Sequence, residues 1–571
     1  MRRIVECVPN ISNGRDPDVY SAVAAAADSV DGCKLLDVDP GADTNRTVIT
    51  FAGEPEAVME AAFRLVKKAA ELIDMRRQTG AHPRHGATDV CPFVPVSGVT
   101  MDDCVEFARA VGRRIGEELS IPVWLYEYAA SKPEWKNLAV VRQGEYEALS
   151  AKLGKQEWAP DFGPNEWNDQ VAKTGVVTVG ARKFLIAYNI NFNTRNAELV
   201  NDIALTIRES GRIARDEKGK YVRDEKGEPV EIPGLFTNCK SMGWYIEEFG
   251  CAQLTMNLTD YEVTPPHLVY DKVLQLARER GLIVTGSELV GLIPLGAMRA
   301  AGEYFLERQQ LWGKQRVCTG VSEAELIRVA ERSMNLSELK PFDPQKAIVE
   351  YAVDETPRPL ANMKLTEFAD ELASISPAPG GGSVAALAGA MAAGLGAMVP
   401  NLTVGKAGYR QKKLADEMNR VAGIAQKLKD EFLRAIDDDT QAFSGLMACF
   451  GMPKDTDEEQ AARSAAILES TKLCIDVPLS VLEKSVPALK CCLAAAERGN
   501  QNSLSDAGVG GSMALACAEG AYYNVLINLQ GLRDKQYVKQ TRAEADRLMA
   551  EAREWAGKVK AVIGKGLGFE A

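Results

Sequence analysis

From Leu414 through Met418, Val421, Ala425, Leu428, Phe432 and Ile436 to Phe443, apolar residues recur at three- and four-residue spacing. A stripe of that length predicts a long amphipathic helix whose apolar face is covered by neighbours. At about 100° per residue Asp439 falls on the stripe, whereas Asp437 and Asp438 point away and are expected to face water. A carboxylate on a buried face costs several kcal/mol unless it is paired or protonated. Asp439 is therefore either a hydrogen-bonded structural group or a carboxyl with a raised pKa. The residues around it read the same way. From Val321 onward Ala, Leu, Glu and Lys dominate, and beyond a proline-rich connection from Pro341 to Pro359 almost every stretch has helical period.

Two further features belong to this helical half. Pro379-Gly-Gly-Gly-Ser383 leads into small residues from Val384 to Val399. Glycines at a helix start let backbone N–H groups approach an anion, and small side chains let helices pack closely. No Lys-Ser/Thr pair follows, so the segment is not a P-loop. Asn524 and Asn528 lie four residues apart on one helix face.

The first half alternates. Strands are expected at 4–8, 34–39, 47–51, 90–96 and 121–126, with helices at 54–73 and 101–119 between them. That order predicts a sheet layered with helices. Strands at 176–180 and 184–190, a helix from Ala197 to Ala214, a strand at 251–258, a helix at 266–280 and a strand at 282–285 predict a second layer. The repeated Asp-Glu-Lys-Gly at 216 and 224 reads as an exposed charged hairpin. Trp158 to Gly175 is turn-rich and aromatic, fitting either a linker or a binding loop.

Two of the three histidines, His82 and His85, share one loop with Arg84 and Asp89. Gly80, Pro83 and Gly86 exclude a helix there, and the prolines of 90–96 suggest an edge or irregular strand behind the loop. Imidazole and guanidinium at a strand mouth suit proton-transfer chemistry. A metal site at His82-x-x-His85 is disfavoured, because no helix aligns the rings and no third ligand has a matching spacing. His267 follows Pro265-Pro266 and reads as structural. Asn10, Asp39 and Asn45-Arg46 sit at other strand exits and are expected to converge with His82, although Asn10 and Asp39 read equally well as turn residues.

Composition narrows the partners. Lys and Arg number 67 against 79 Asp and Glu, a net charge of −12, so no overall basic field draws the chain to nucleic acid or an anionic membrane. The twelve cysteines are scattered, with no C-x-x-C pair, which fits a reducing compartment. The N-terminus shows no signal-peptide pattern. The uncharged run from Leu372 to Gly405 is rich in Ala, Gly and Pro and reads as too weak for a membrane span. The expectation is a soluble, cytoplasmic protein.

Glu6-Cys-Val-Pro-Asn-Ile-Ser, Asn45-Arg-Thr-Val and His82-Pro-Arg resemble the transferase module of the formimidoyltransferase-cyclodeaminase family. Ala181-Arg-Lys-Phe-Leu-Ile-Ala-Tyr-Asn-Ile-Asn is similar to the opening of its second subdomain. Ala378-Pro-Gly-Gly-Gly-Ser-Val, Asp437-Asp-Asp-Thr-Gln-Ala-Phe and Tyr523-Asn-Val-Leu-Ile-Asn resemble its helical cyclodeaminase module. His85 lies outside the motif, and 216–228 reads as an insertion.

The resemblance implies a two-subdomain α/β sandwich transferase module followed by an all-α cyclodeaminase domain. The expected boundaries are 1–181 and 182–330 for the two subdomains, a linker at 331–360, and 361–571 for the helical domain. It implies transfer of a formimidoyl group from N-formimidoyl-L-glutamate to N5 of tetrahydrofolate, then closure to 5,10-methenyl-tetrahydrofolate with release of ammonia. His82 is implied as the acid–base of the first step and Asp439 as the carboxyl of the second. The expected substrate and folate contacts are Asn10, Asp39, Arg46, Arg84, Gly163, Pro164, Gly175, Arg182 and Lys183, with Gly380, Gly381, Gly382, Ser383 and Asn528 in the helical half. Arg84, Arg182 and Lys183 are the candidates for substrate carboxylates. Tetrahydrofolate is expected as a polyglutamylated co-substrate, no metal is required, and the chain is expected to be a homo-oligomer of small-molecule specificity. Two other classes remain open: a transferase moving formyl from N-formylglutamate, and a folate-binding assembly protein with a non-catalytic helical platform.

Overall fold

The structure, a computed structural model, describes residues 3–216, 219–309, 317–354 and 358–569. The chain forms two compact units, one of residues 1–301 with 330–355, the other of residues 302–329 with 356–571.

The first unit opens with a seven-stranded sheet of β1 (Ile4–Cys7), β2 (Asn10–Ile11), β3 (Cys33–Gly41), β4 (Arg46–Gly53), β5 (Thr88–Ser97), β6 (Val123–Glu127) and β7 (Val177–Ala181). β1 and β2 are halves of one interrupted strand. Both pair antiparallel with β4 on one side and with β5 on the other. Pro9 stands at the break, where its missing N–H cannot serve a ladder. β5 pairs parallel with β7, β7 parallel with β6, and β3 forms the far edge against β4. β5 is therefore central, contrary to the edge position its prolines suggest. The ladder tolerates them because it is irregular where they fall. Pro95 stands opposite Val5, where the register with β1 slips, and the Pro92 carbonyl accepts from Val8 N–H (3.3 Å) beside the β1–β2 break.

Rows across the ladders define two faces. Phe51, Cys7, Phe93 and Ala181 stand opposite one another and are buried in one core with α1 (Pro17–Asp28), α2 (Pro55–Leu72) and α3 (Met101–Leu119). The row Asp39, Val48, Asn10, Val90, Thr178 and Trp124 looks the other way. Segment 128–176, with the short helices α4 (Leu138–Val141), α5 (Leu149–Lys152) and α6 (Asp169–Thr174), covers the β6 end of this face. There Trp124, Trp135 and Trp158 cluster with ring centroids 5.6–6.3 Å apart, and Lys152 Nζ lies 3.7 Å from the Trp158 ring. The rest of the face carries polar groups.

β8 (Ile186–Phe192), the small pair β9 (Arg212–Ile213) and β10 (Glu231–Ile232), β11 (Cys239–Ile246), β12 (Cys251–Leu258) and β13 (Val284–Val290) follow. The larger strands form an antiparallel sheet in the order β11-β12-β8-β13 with α7 (Ala197–Ile207) packed on it and α8 (Pro266–Glu279) beside α7. The helix expected to reach Ala214 stops at Ile207: Arg208 is extended and Gly211 takes φ +57°, turning the chain into β9. The expected charged hairpin is two successive turns, bridged at Arg215–Tyr221 and Arg223–Pro229, with residues 217 and 218 outside the described residues.

α9 (Leu295–Gln309) and α10 (Glu323–Met334) each contain a crossing between units. The expected boundary at 330 and linker at 331–360 are thereby corrected. α11 (Pro344–Ala347) and α12 (Val349–Val353) belong to the first unit, where Ile293 N–H donates to Ala347 O (2.9 Å) and Val349 N–H to Ile293 O (3.1 Å). Ile348 and Val349 are fully buried, which a solvated linker would not do.

In the second unit α13 (Leu365–Leu372) precedes α14 (Gly381–Thr403), α15 (Lys412–Phe450), α16 (Asp457–Arg498), α17 (Leu504–Leu529) and α18 (Lys535–Leu567). α14 packs against α15, α16 and α17. It is long and apolar enough to cross a membrane, contrary to the expectation for its sequence, yet 67% of its most apolar window is buried among these helices. Its small residues make that packing possible: a Cβ at Gly389 would come within 2.7 Å of the Phe432 ring and 2.8 Å of Cys517 Sγ.

Candidate functional site

Of the three histidines only His82 keeps a reachable ring. His267 is buried in α8, and burial pulls its pKa down to about 4. His85 is buried too, with Nδ1 2.9 Å from Asp89 Oδ1 and Nε2 bonded to Thr178 Oγ1. His82 is half-buried, and its Nδ1 lies 2.7 Å from the Pro83 carbonyl. A carbonyl only accepts, so the proton belongs on Nδ1 and the Nε2 lone pair is left for a substrate. Partial burial, then the positive charges of Arg46 and Arg142, hold the imidazole below its usual range, and so neutral near pH 7.

Asp89 gathers those charges. Arg46 Nη1 and Arg142 Nη2 both donate to its Oδ2, and His85 backbone N–H donates to Oδ1 (3.1 Å). Burial alone would push this carboxyl up, but His85 and the two guanidiniums hold it well below the usual carboxylate range. Arg46 Nε donates to Asn10 Oδ1 at 3.0 Å. The structure thus brings Asn10, Arg46 and His82 together. Asp39 shares a sheet face with Asn10 but stands exposed on β3, two strand spacings or ~10 Å away. Arg142 was missed from sequence. It lies in an irregular segment 53 residues from Asp89, and no local pattern marks it.

The cations proposed from sequence fare differently. Arg84 donates to Glu145 (3.0 Å) and Glu147 (2.7 Å), and Lys183 donates to Glu262 (2.5 Å). Both charges face carboxylates of the chain itself in this structure. Arg182 Nη1 donates to Lys183 O (3.0 Å), and its charge acts on the buried Glu6. Gly163 and Gly175, expected at folate, have backbone roles. Both take positive φ, and a Cβ would strike Ile121 O in one case and His85 O in the other. Pro164 follows Gly163 directly in an irregular stretch.

In the second unit Gly380 caps α14, and Gly381, Gly382 and Ser383 form its first turn. A Cβ at Gly382 would land on the Asp439 carboxylate. Ser383 Oγ–H donates to Ile436 O (2.8 Å) and lies 3.4 Å from Asp439 Oδ2. Asp439 is half-buried. Burial raises its pKa against the opposing pull of the Ser383 hydroxyl and N–H. Asp438 is exposed, but Asp437 is not. Its side chain is 2% exposed and accepts from Leu360 N–H and Ala361 N–H, each at 2.9 Å. The helix buries more than one stripe because the segment before α13 lies across it. Asn528 Nδ2 donates to Cys474 O (2.8 Å), while Asn524 is the asparagine facing the glycine turn, 3.5 Å from a Cβ built at Gly381.

Comparisons with known proteins follow the same division. Residues 4–182 match the formiminotransferase domain, N-terminal subdomain, residues 187–354 the formiminotransferase domain, and residues 364–547 a domain described as formiminotransferase-cyclodeaminase. The chain is 40% identical over 567 residues to the formimidoyltransferase-cyclodeaminase of Gallus gallus, covering 99% of both chains. It is 40% identical over 307 residues to the glutamate formimidoyltransferase of Streptococcus pyogenes, covering 54% of this chain and 94% of that one. It is also 40% identical over 191 residues to the methenyltetrahydrofolate cyclohydrolase of Methylorubrum extorquens, covering 34% of this chain and 91% of that one.

Proposed function

The chain belongs to the formimidoyltransferase-cyclodeaminase family, and from that premise we propose how its residues divide the work. It is a bifunctional enzyme. It transfers the formimidoyl group of N-formimidoyl-L-glutamate to N5 of tetrahydrofolate, then closes the adduct to 5,10-methenyl-tetrahydrofolate and releases ammonia.

In the first step N5 attacks the amidine carbon, and His82 Nε2 takes the proton that N5 loses. The bond from that carbon to the glutamate nitrogen then breaks, and the same imidazole returns the proton to the leaving nitrogen. The observation that carries this assignment is that His82 alone of the three histidines is reachable, neutral and oriented. In the second step N10 attacks the same carbon and gives up its proton. The amidine nitrogen, having gained that proton and one from Asp439, leaves as ammonia while its bond to carbon breaks. Burial raises the pKa of Asp439, the direction a proton donor needs. Carbon keeps its oxidation state throughout, so the chemistry asks for neither a redox cofactor nor a metal.

The folate is held in polyglutamylated form along the 163–175 segment. The chain works in the cytoplasm as a homo-oligomer, a reading supported by exposed apolar side chains on the helical unit, among them Phe443, Met447, Phe450, Tyr523 and Ile527.

The test is a pair of variants assayed for both steps. H82A lowers transfer by about 10²–10⁴-fold, the usual worth of acid–base catalysis, and leaves cyclisation of supplied 5-formimidoyl-tetrahydrofolate intact. D439N transfers normally and releases no ammonia. Cyclisation by D439N at the wild-type rate would return Asp439 to a structural role. The likeness to a methenyltetrahydrofolate cyclohydrolase favours a second reading, in which the helical unit also hydrates the methenyl product. Decay of methenyl absorbance under wild-type enzyme, absent with D439N, would establish it.

A further inference from the structure

The Asp89 cluster does not balance. One carboxylate faces two guanidiniums, a surplus of positive charge whichever state His85 takes. The Arg46 and Arg142 side chains are only 10% and 14% exposed, so the surplus positive charge is largely withdrawn from water. Such a charge is costly to bury without an anion. Donors are also left over. Arg46 uses Nε on Asn10 and Nη1 on Asp89, and Arg142 uses Nη2 on Asp89. Arg142 Nε is buried with no hydrogen-bond partner among the described residues. Arg46 Nη2 and Arg142 Nη1 also make no hydrogen bond among the described residues, and guanidinium N–H groups left over in this way match a carboxylate.

We infer that Arg46 and Arg142 form the subsite for the α-carboxylate of the N-formimidoyl-L-glutamate donor, an inference that rests on the transferase reading of His82. Carboxylates arrive on both substrates, so position must decide between them. In the donor the α-carboxylate is three bonds from the amidine carbon. In tetrahydrofolate the glutamyl carboxylates lie at the far end of the aminobenzoyl group from N5. The His82 loop is bonded to the segment that carries Arg46, with Ala81 N–H donating to Asp43 O (3.3 Å) and Asn45 Nδ2 to Thr79 O (2.8 Å). A carboxylate held by the two guanidiniums therefore lies beside the loop that presents His82. Arg84 and Lys183 do not compete for this role, since each is already paired with glutamates.

The experiment uses the full chain, with steady-state transfer measured while each substrate is varied, and N-formimidoyl-4-aminobutyrate as a donor lacking only the α-carboxylate. R142Q raises KM for N-formimidoyl-L-glutamate by about 10–10²-fold, the range of a charge-assisted pair, while kcat and the KM for tetrahydrofolate stay within about threefold. R142K recovers part of the loss, because it restores the charge without the fork. Wild-type enzyme disfavours the truncated donor by a similar factor, and R142Q discriminates far less. A rise confined to the KM for tetrahydrofolate would assign the cations to the folate tail and overturn the inference. Equal discrimination by wild type and R142Q would overturn it as well. If R142Q does not fold, wild-type indifference to the truncated donor is sufficient refutation. Failure of wild-type enzyme to use N-formimidoyl-L-glutamate at all would instead strike the transferase reading.

Discussion

Glu6 lies on β1 with its side chain almost completely buried, and burial lifts its carboxyl from 4.5 to about 7 despite the pull of Arg182, with Glu350 pushing the same way as burial. The native state therefore holds a proton that the unfolded chain releases above 4.5. Stability from this group is complete below about 4.5 and is lost as the pH rises through 7. A shift of that size is worth up to about 3 kcal/mol. Glu6→Gln, nearly isosteric and never charged, is expected to raise Tm at pH 8 and leave it nearly unchanged at pH 4; thermal scans at the two pH values decide. Asp437 matters for its geometry, because its site needs two acceptors. Its two oxygens serve two backbone N–H groups, and an amide supplies only one good acceptor. Asp437→Asn should cost about 1–3 kcal/mol of the helical unit's stability, measured by denaturant unfolding, where a water-facing aspartate would cost nothing.

At the scale of elements, the start of α14 and the middle of α15 are built around each other. Gly382 leaves the space that the Asp439 carboxylate occupies, so Gly382→Ala should displace that carboxylate. The expected result is a loss of about 10²-fold or more in ammonia release with transfer unaltered; undiminished cyclisation would show that the carboxylate's position is immaterial. Periodicity revealed α15, α2 and α3 because each buries one face. It failed at Asp437, where a second segment covers the helix from outside the stripe. The His82 loop and the Asn10–Arg46 pairing were legible because glycine, proline and polar residues at strand exits limit what a loop can do. Arg142 was not, because an ion pair spanning 53 residues is set by tertiary folding alone. β5 was legible in part: its prolines do mark an irregular ladder, but they are also compatible with a central position beside a partner that is itself broken.

For the whole molecule, the division between units changes where the chain can be cut. Residues 331–354 complete the first unit through the Ile293–Ile348 bridge and the buried Val349. A fragment of residues 1–354 is expected to transfer the formimidoyl group and accumulate 5-formimidoyl-tetrahydrofolate. One ending at 330 should melt at lower temperature or aggregate, because Ile293 loses its bridge to Ile348 and its cover. Equal Tm values for the two fragments would contradict this account of 331–354.

The aromatic cluster beneath the polar face has an optical consequence. Trp124, Trp135 and Trp158 lie within energy-transfer distance of one another, and Lys152 sits over the Trp158 ring. Five of the seven tryptophans fall in the first unit and Trp555 in the second, while Trp312 lies outside the described residues. Emission on excitation of indole therefore follows the transferase unit, while far-ultraviolet ellipticity is weighted toward the long helices of its neighbour. One sample, heated once and watched at two wavelengths, separates the melting of the two halves without cutting the chain.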